Sequence, residues 1–76
     1  MTARTLEATL TIQLNGEKRS IPEGTSVGGL LTELRLDPRL VVVERNREIL
    51  RDRTVLAGMA LTDGDQIEIV HFVGGG

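Results

Sequence analysis

The strongest constraint on the fold is an alternating segment that ends in a tight turn. Residues 9–14 alternate between polar and apolar side chains, which is typical of a half-buried strand. Asn15-Gly16 follows, and this dipeptide favours two-residue hairpin turns because both turn positions need positive φ. The polar segment 17–21 returns as a second strand, and Pro22-Glu23-Gly24 closes it. These residues predict a β-hairpin.

A helix is predicted after the hairpin. The hydroxyl of Thr25 or Ser26 can cap its first turn. The next apolar residues recur at helical spacing and form one stripe: Val27, Leu30, Leu31 and Leu34. Gly28 and Gly29 each weaken a helix by roughly 1 kcal/mol relative to alanine, so packing of the stripe on a sheet must supply most of the stability. We expect the helix to end before Pro38, since proline disfavours helical geometry at the preceding residue.

The second half of the chain predicts another hairpin. A strand is predicted at 40–44, where four apolar and mostly β-branched residues precede Glu44. Such a composition suits a strand in the middle of a sheet. Asn46-Arg47 then turns the chain into a short strand at 48–50. An arginine at a turn position that needs positive φ costs free energy that glycine would not.

A crossover and a last strand complete the predicted order of elements. The charged segment 51–54 has no pattern of regular structure, and the apolar residues behind it are expected to cover one end of the core: Val55, Leu56, Met59 and Leu61. Asp63-Gly64-Asp65 is a predicted turn into the last strand, 66–73.

This order of elements predicts the topology. A final strand that follows such a crossover can insert beside the first strand and run parallel to it. The prediction is an α+β, ubiquitin-like β-grasp fold, with a mixed five-stranded sheet packed on one helix. We expect a flexible extension at 1–8, the folded domain at 9–73 and a flexible glycine tail at 74–76.

Composition excludes several classes of function. The 76 residues include no cysteine, one histidine and one aromatic residue, with a net charge of −2. A metal centre, a thiolate nucleophile and a base-stacking surface all lack their parts. No apolar stretch approaches the roughly 20 residues of a membrane span, and no secretory signal follows Met1. We predict a cytoplasmic protein that is not an enzyme and binds neither nucleic acid nor membrane.

The sequence ends in three glycines, Gly74, Gly75 and Gly76. Glycine has no Cβ and adopts almost any backbone conformation, so such a tail can present an unhindered carboxylate to a partner's active site. A frayed terminus is the other interpretation, since chain ends are commonly disordered.

Several short motifs, taken in order, resemble one family. They are Asn15-Gly16-Glu17, Val27-x-x-Leu30-Leu31, Val43-Glu44-x-Asn46-x-Glu48-Ile49, Gly64-Asp65-x-Ile67-Glu68-Ile69-Val70 and Val73-Gly74-Gly75-Gly76. Residues 9–76 are similar to the sulfur carriers of thiamine biosynthesis, the ThiS group of the ThiS/MoaD family. The chain departs from the family pattern in two places. It has Asn46-Arg47 where members usually have Asn-Gly, and Leu50-Arg51-Asp52-Arg53 where they often have Val-Pro-Arg, so either Arg51 or Arg53 occupies the family's basic position.

The resemblance implies a carrier function. An E1-like adenylyltransferase would use ATP and Mg²⁺ to adenylate the carboxylate of Gly76. A cysteine-desulfurase-type donor would supply persulfide sulfur and leave a thiocarboxylate, which thiazole synthase would consume. The residues fit this independently, since a chain without cysteine offers sulfur no obvious site except its C-terminus, and Gly75 and Gly76 are small enough to thread a narrow channel.

A docking surface is predicted just upstream of the tail. If Ile67 and Ile69 face the helix, Val70 and Phe72 are exposed, and with Val73 they would contact partners. Phe72 could instead merely cover the end of the sheet. Arg51 and Arg53 are further candidate contacts to acidic partner surfaces, although the arginines at 45, 47, 51 and 53 could equally form a solvated charged face. His71 is interpreted as an ordinary strand residue.

Two other functions remain open at this point. The same carrier chemistry could serve molybdopterin synthesis or tRNA thiolation. Alternatively, the chain could be a non-catalytic β-grasp module that binds proteins and whose tail is inert.

Overall fold

The computed structural model describes residues 8–72 and contains five strands and one α-helix. In chain order these are β1 (Thr9–Leu14), β2 (Glu17–Pro22), α1 (Val27–Glu33), β3 (Val41–Arg45), β4 (Glu48–Ile49) and β5 (Gln66–His71). Two 3₁₀ helices lie in the connections, at Pro38–Leu40 and Arg53–Gly58. Within this range, no helix is long and apolar enough to cross a membrane.

The strands form one mixed sheet in the order β2-β1-β5-β3-β4. β5 lies in the centre, parallel to β1 and antiparallel to β3. Within each hairpin the two strands pair antiparallel, β1 with β2 and β3 with β4. The predicted insertion of the last strand beside the first is therefore confirmed, as is the interior position of β3.

One face of the sheet packs on α1 and the second 3₁₀ helix. Strand residues point alternately to the two faces, and the buried residues of β1, β3 and β5 all lie on the face toward the helix: Ile12, Val41, Val43, Ile67 and Ile69. The core consists of Ile12, Ile21, Val27, Leu30, Leu31, Val41, Val43, Leu56, Leu61, Ile67 and Ile69. The predicted helical stripe supplies three of these residues, and Leu34 is partly buried against them.

The helix begins as predicted but ends early. Ser26 is the N-cap, and its Oγ accepts from the N–H of Gly29 at 2.9 Å. The chain leaves the helix at Arg35, whose φ is +61°. The N–H of Leu36 bonds to the carbonyl of Leu31 and that of Arg35 to Thr32, which is the pattern of a Schellman cap. The helix was predicted to end at Asp37-Pro38 and ends earlier, at Glu33, because this cap places arginine where glycine is usual.

The prediction of no regular structure in the crossover was wrong from residue 53 onward. Asp52 caps the 3₁₀ helix Arg53–Gly58 by accepting from the N–H of Thr54 at 3.0 Å. Leu56 is buried, but Val55 is 45% exposed and does not cover the core as expected. This helix lies so close to α1 that a Cβ on Gly28 would be 2.9 Å from the Cα of Ala57. Gly28 therefore allows a close approach, which compensates for its low helix propensity.

Several strand boundaries also differ from the predictions. Leu40 ends the first 3₁₀ helix and is 55% exposed, so β3 begins one residue later than expected. β2 extends to Pro22, and β4 stops at Ile49, although the N–H of Leu50 still donates to Val43. β5 ends at His71, and the predicted continuation to Val73 lies partly outside the described residues.

Candidate functional site

The strand that leads to the glycine tail is held at both edges by asparagine side chains. Asn15 has a φ of +51°, and its Oδ1 accepts from the N–H of Ile69 at 2.8 Å. Asn46 has a φ of +52°, and its Oδ1 accepts from the N–H of Gln66 at 2.9 Å. Asparagine tolerates this left-handed conformation better than most residues. Each hairpin turn thus bonds to β5 as well as reversing its own strand.

A buried carboxylate organises the turn at the start of β5. Asp65 is 5% exposed and accepts hydrogen bonds from the N–H of Thr62 at 2.8 Å, Asn46 Nδ2 at 3.0 Å and Arg45 Nε at 3.0 Å. Arg45 Nη2 lies 2.8 Å from the same carboxylate. Burial raises the pKa of Asp65, but these hydrogen bonds together lower it by more, so its pKa lies below the ordinary value. No local sequence pattern indicates this network, because Arg45 and Asn46 lie about 20 residues from Asp65.

The outer face of the sheet carries apolar side chains near the C-terminal end of β5. Val70 is 61% exposed and Phe72 is 51% exposed, as expected from the burial of Ile67 and Ile69 on the opposite face. Val70 pairs with Val42, and Ile49 lies close to Val42 on the neighbouring strand. We call Val42, Ile49, Val70 and Phe72 the outer apolar patch. The predicted exposure of Val70 and Phe72 is confirmed, while their contact with a partner stays a prediction.

The arginines do not form one uniform surface. Arg45 is engaged by Asp65, so the interpretation of a solvated charged face is wrong for this residue. Arg53 donates from Nε to the carbonyl of Pro38 at 2.7 Å, which ties the crossover to the segment before β3. Arg51 is exposed, and both Arg51 and Arg53 line a cavity of about 240 Å³ beside Val42. A role for these two arginines in partner binding remains a prediction.

Val70 and Phe72, two of the predicted docking residues, lie at the C-terminal end of β5. His71 is an exposed residue of that strand, paired with Val41, as expected. Val73, Gly74, Gly75 and Gly76 lie outside the described residues. Within residues 8–72, no three His, Cys, Asp or Glu side chains come together in a way that could hold a metal ion.

Comparisons with known proteins agree with this architecture. The sulfur carrier protein ThiS of Bacillus subtilis is 42% identical over 66 residues, which are 86% of this chain and 98% of that protein. The thiazole synthases of Magnetococcus marinus and Paramagnetospirillum magneticum are 45% and 48% identical over 65 and 63 residues. The chain spans only 20% and 19% of their lengths, and the matched segments cover 86% and 83% of this chain.

A solved structure supports the same fold. The crystal structure of the thiamine biosynthesis protein ThiS from Geobacter metallireducens superposes with a TM-score of 0.74 at 31% identity, covering 88% of this chain and all of that one. The predicted β-grasp architecture is thereby confirmed. The sequence pattern of the ThiS family matches residues 12–76, including the three glycines. The chain belongs to the ThiS family.

Proposed function

We propose that this chain carries sulfur for thiazole formation in thiamine biosynthesis, as a thiocarboxylate on Gly76. The observation that carries the proposal is the family match, which extends through the glycine ending to residue 76. The relative from Bacillus subtilis, named as a sulfur carrier protein, is covered almost completely by the alignment.

The chemistry begins with activation of the carboxylate. A carboxylate is a poor electrophile, and attack of its oxygen on the α-phosphate of ATP releases pyrophosphate and forms an acyl adenylate. A persulfide then attacks the acyl carbon and AMP leaves. A thiol cleaves the resulting S–S bond, which gives the thiocarboxylate and a disulfide. An E1-like enzyme would bind ATP and Mg²⁺, and a cysteine desulfurase would supply the persulfide.

The folded domain would contribute position to these reactions, with the partner enzymes supplying the groups that stabilise each transition state. Four residues separate Phe72 from the end of the chain, so the reactive carboxylate lies at most about 14 Å from the Cα of Phe72. Any enzyme that acts on Gly76 must therefore approach the end of β5, where the outer apolar patch lies. The patch and the anchored strand would hold the tail in register with a partner's active site.

The names of two relatives support thiazole synthase as the recipient of the sulfur. Each is a thiazole synthase that contains a segment similar to this chain. Carrier and recipient would act together in the cytoplasm, and this chain would be a co-substrate of its partner enzymes.

Intact-mass spectrometry tests the proposal. After incubation with an E1-like adenylyltransferase, ATP, a desulfurase and cysteine, we expect the chain to gain the mass difference between one sulfur and one oxygen atom. A variant with one alanine added after Gly76 is the matched control, since it keeps the domain and displaces the carboxylate. Sulfur transfer to the extended variant, or no transfer to the native chain, would contradict the proposal.

A second measurement identifies the client. The thiocarboxylate form should support thiazole phosphate synthesis by thiazole synthase. If it instead supplied sulfur only to a molybdopterin synthase or a tRNA-thiolating enzyme, the carrier chemistry would stand and the thiamine assignment would fall.

A further inference from the structure

Among residues 8–72, no strand pairs with the C-terminal half of β5 on the side of β1, and we call this the open edge of β5. The two strands pair at only two positions within residues 8–72, Gln13 with Gln66 and Leu14 with Ile67. β1 then turns away, and Asn15 Oδ1 accepts from the N–H of Ile69. Along β5, even-numbered residues direct their backbone groups toward β3, as the bond from the N–H of Phe72 to Leu40 shows. The carbonyl of Ile69 and both backbone groups of His71 therefore face the side that β1 has vacated.

The opposite edge of the sheet differs in its chemistry. Lys18 and Ser20 of β2 pair with residues of β1 that bond toward β5 or its approach, so the backbone groups of Lys18 and Ser20 face outward. Pro22 ends the same edge, and its carbonyl accepts from the N–H of Thr25. This edge carries a lysine and a proline, and proline has no N–H to donate. Charges and prolines are the usual means by which proteins prevent pairing at a sheet edge. The β5 edge has His71 and Ile69 and neither device.

A cavity lies directly beside the open edge. It measures about 260 Å³ and is lined by Leu14, Asn15, Leu34, Leu36, Ile69 and His71. Leu34 and Leu36 come from the end of α1 and its cap, so the cavity opens on the helix side of the sheet. A strand laid along the β5 edge would direct alternate side chains toward this cavity and toward the outer face.

We infer that thiazole synthase docks by adding an extended segment to the β5 edge, with hydrogen bonds to Ile69 and His71 and one apolar side chain in the adjacent cavity. The short reach of residues 73–76, about 14 Å at most, requires the receiving enzyme to cover this end of the molecule. Strand addition supplies affinity through the main chain and specificity through pockets for alternate side chains. The inference rests on the proposed function only in taking thiazole synthase as the recipient.

Amide hydrogen exchange followed by NMR tests the inference on the unmodified chain. In the free protein, the N–H of His71 is expected to exchange faster than the N–H of Ile69, which Asn15 protects. Adding thiazole synthase should slow exchange at His71 by about tenfold or more, as a newly formed ladder hydrogen bond would. A complex in which His71 exchanges at its free rate would overturn the inference and leave sulfur transfer untouched. Absence of any complex would overturn it and also the delivery step.

Proline substitutions provide a second test with a matched control. His71→Pro removes an outward-facing N–H on the open edge, and Ser20→Pro removes one on the β2 edge, so both variants spare the bonds within the sheet. We expect His71→Pro to weaken binding of thiazole synthase by about tenfold, equivalent to about 1.4 kcal/mol, and Ser20→Pro to leave it unchanged. Equal affinities for both variants would overturn the inference. Transfer of sulfur to Gly76 of the His71→Pro variant, measured by mass, separates this result from failure of the carrier chemistry.

Discussion

The two hairpin turns use the same residue for the same purpose but differ in strain and in what surrounds them. Asn15 and Asn46 both adopt positive φ, and both accept from an N–H of β5 through Oδ1. Asn15 is followed by glycine with a φ of +85°, whereas Asn46 is followed by Arg47 with a φ of +72°. Asn46 also donates from Nδ2 to the carboxylate of Asp65. Among the described contacts, the side chain of Asn15 makes no equivalent bond as a donor.

This difference shows how one turn can retain an unfavourable residue. A non-glycine residue in the left-handed region costs roughly 1–2 kcal/mol. Around Asn46 the hydrogen bonds to Gln66 and Asp65, with the Arg45 ion pair, offset that cost. The first turn has less strain and depends on fewer tertiary contacts.

The largest effect is expected when the Asp65 network is removed. Asp65→Ala leaves Arg45 without its carboxylate and three donors without an acceptor, and we expect a loss of about 3 kcal/mol in the free energy of unfolding. Urea denaturation measures it. A loss below about 1 kcal/mol would mean that the second turn does not depend on this carboxylate.

The pH dependence of stability checks the same network. Because the pKa of Asp65 is lower in the folded protein than in the unfolded chain, its contribution is fully present above the unfolded value of about 3.9. It is lost as the pH falls through the folded pKa. Two further carboxylates contribute in the same direction. The pKa of the partly exposed Asp37 is lowered to about 2, mainly by its side-chain hydrogen bond with Arg39, and the pKa of Asp52 is lowered mainly by its side-chain hydrogen bond with Thr54. Asp65→Asn should therefore flatten the acid limb of the stability curve without abolishing it.

A smaller effect should distinguish the two asparagines directly. Asn15→Asp keeps the acceptor oxygen, and we expect a change within about 0.5 kcal/mol. Asn46→Asp replaces the donor to Asp65 with a second carboxylate, and we expect a loss of about 2 kcal/mol at neutral pH. Thermal or urea unfolding of the pair measures the contrast. Equal losses would show that the two turns are energetically equivalent.

The smallest effect concerns the residue after each asparagine. Arg47→Gly relieves the left-handed strain and should stabilise the fold by about 1 kcal/mol, after the greater freedom of glycine in the unfolded chain is counted. Gly16→Ala should destabilise it by a similar amount. A Cβ at Gly16 would meet nothing within 4 Å, so the cost there is conformational and not steric. Shifts of the urea midpoint in opposite directions would confirm that only the second turn is strained, and shifts in the same direction would contradict it.

The sequence was sufficient for features that depend on local pattern. The alternation in residues 9–14 and the Asn15-Gly16 turn have a local physical cause, and both were predicted correctly. The hydroxyl cap was predicted for Thr25 or Ser26, and Ser26 supplies it. The exposure of Val70 and Phe72 followed from the period of a strand. These features position the candidate site, so its location near the end of β5 was predictable.

Features that depend on distant partners were not predictable in this way. The 3₁₀ helix at 53–58 lies in close contact with Gly28, about 30 residues earlier in the chain. The cap at Arg35 is local, but it was missed because arginine occupies a left-handed position where glycine is usual. The bonds from Asn15 and Asn46 to β5 span 54 and 20 residues. No local pattern marks such partners, although asparagine at a turn is a signal that its side chain seeks one.

The central position of β5 has a mechanical consequence. Under the proposed function, an enzyme that drew the C-terminus into a channel would pull along β5, which pairs with β3 over most of its length and with β1 at its start. Such a force acts in shear on several hydrogen bonds at once, so it cannot peel them away singly. The domain should therefore withstand tension on its C-terminal end without unfolding, as a carrier that passed from one enzyme to another would need to do.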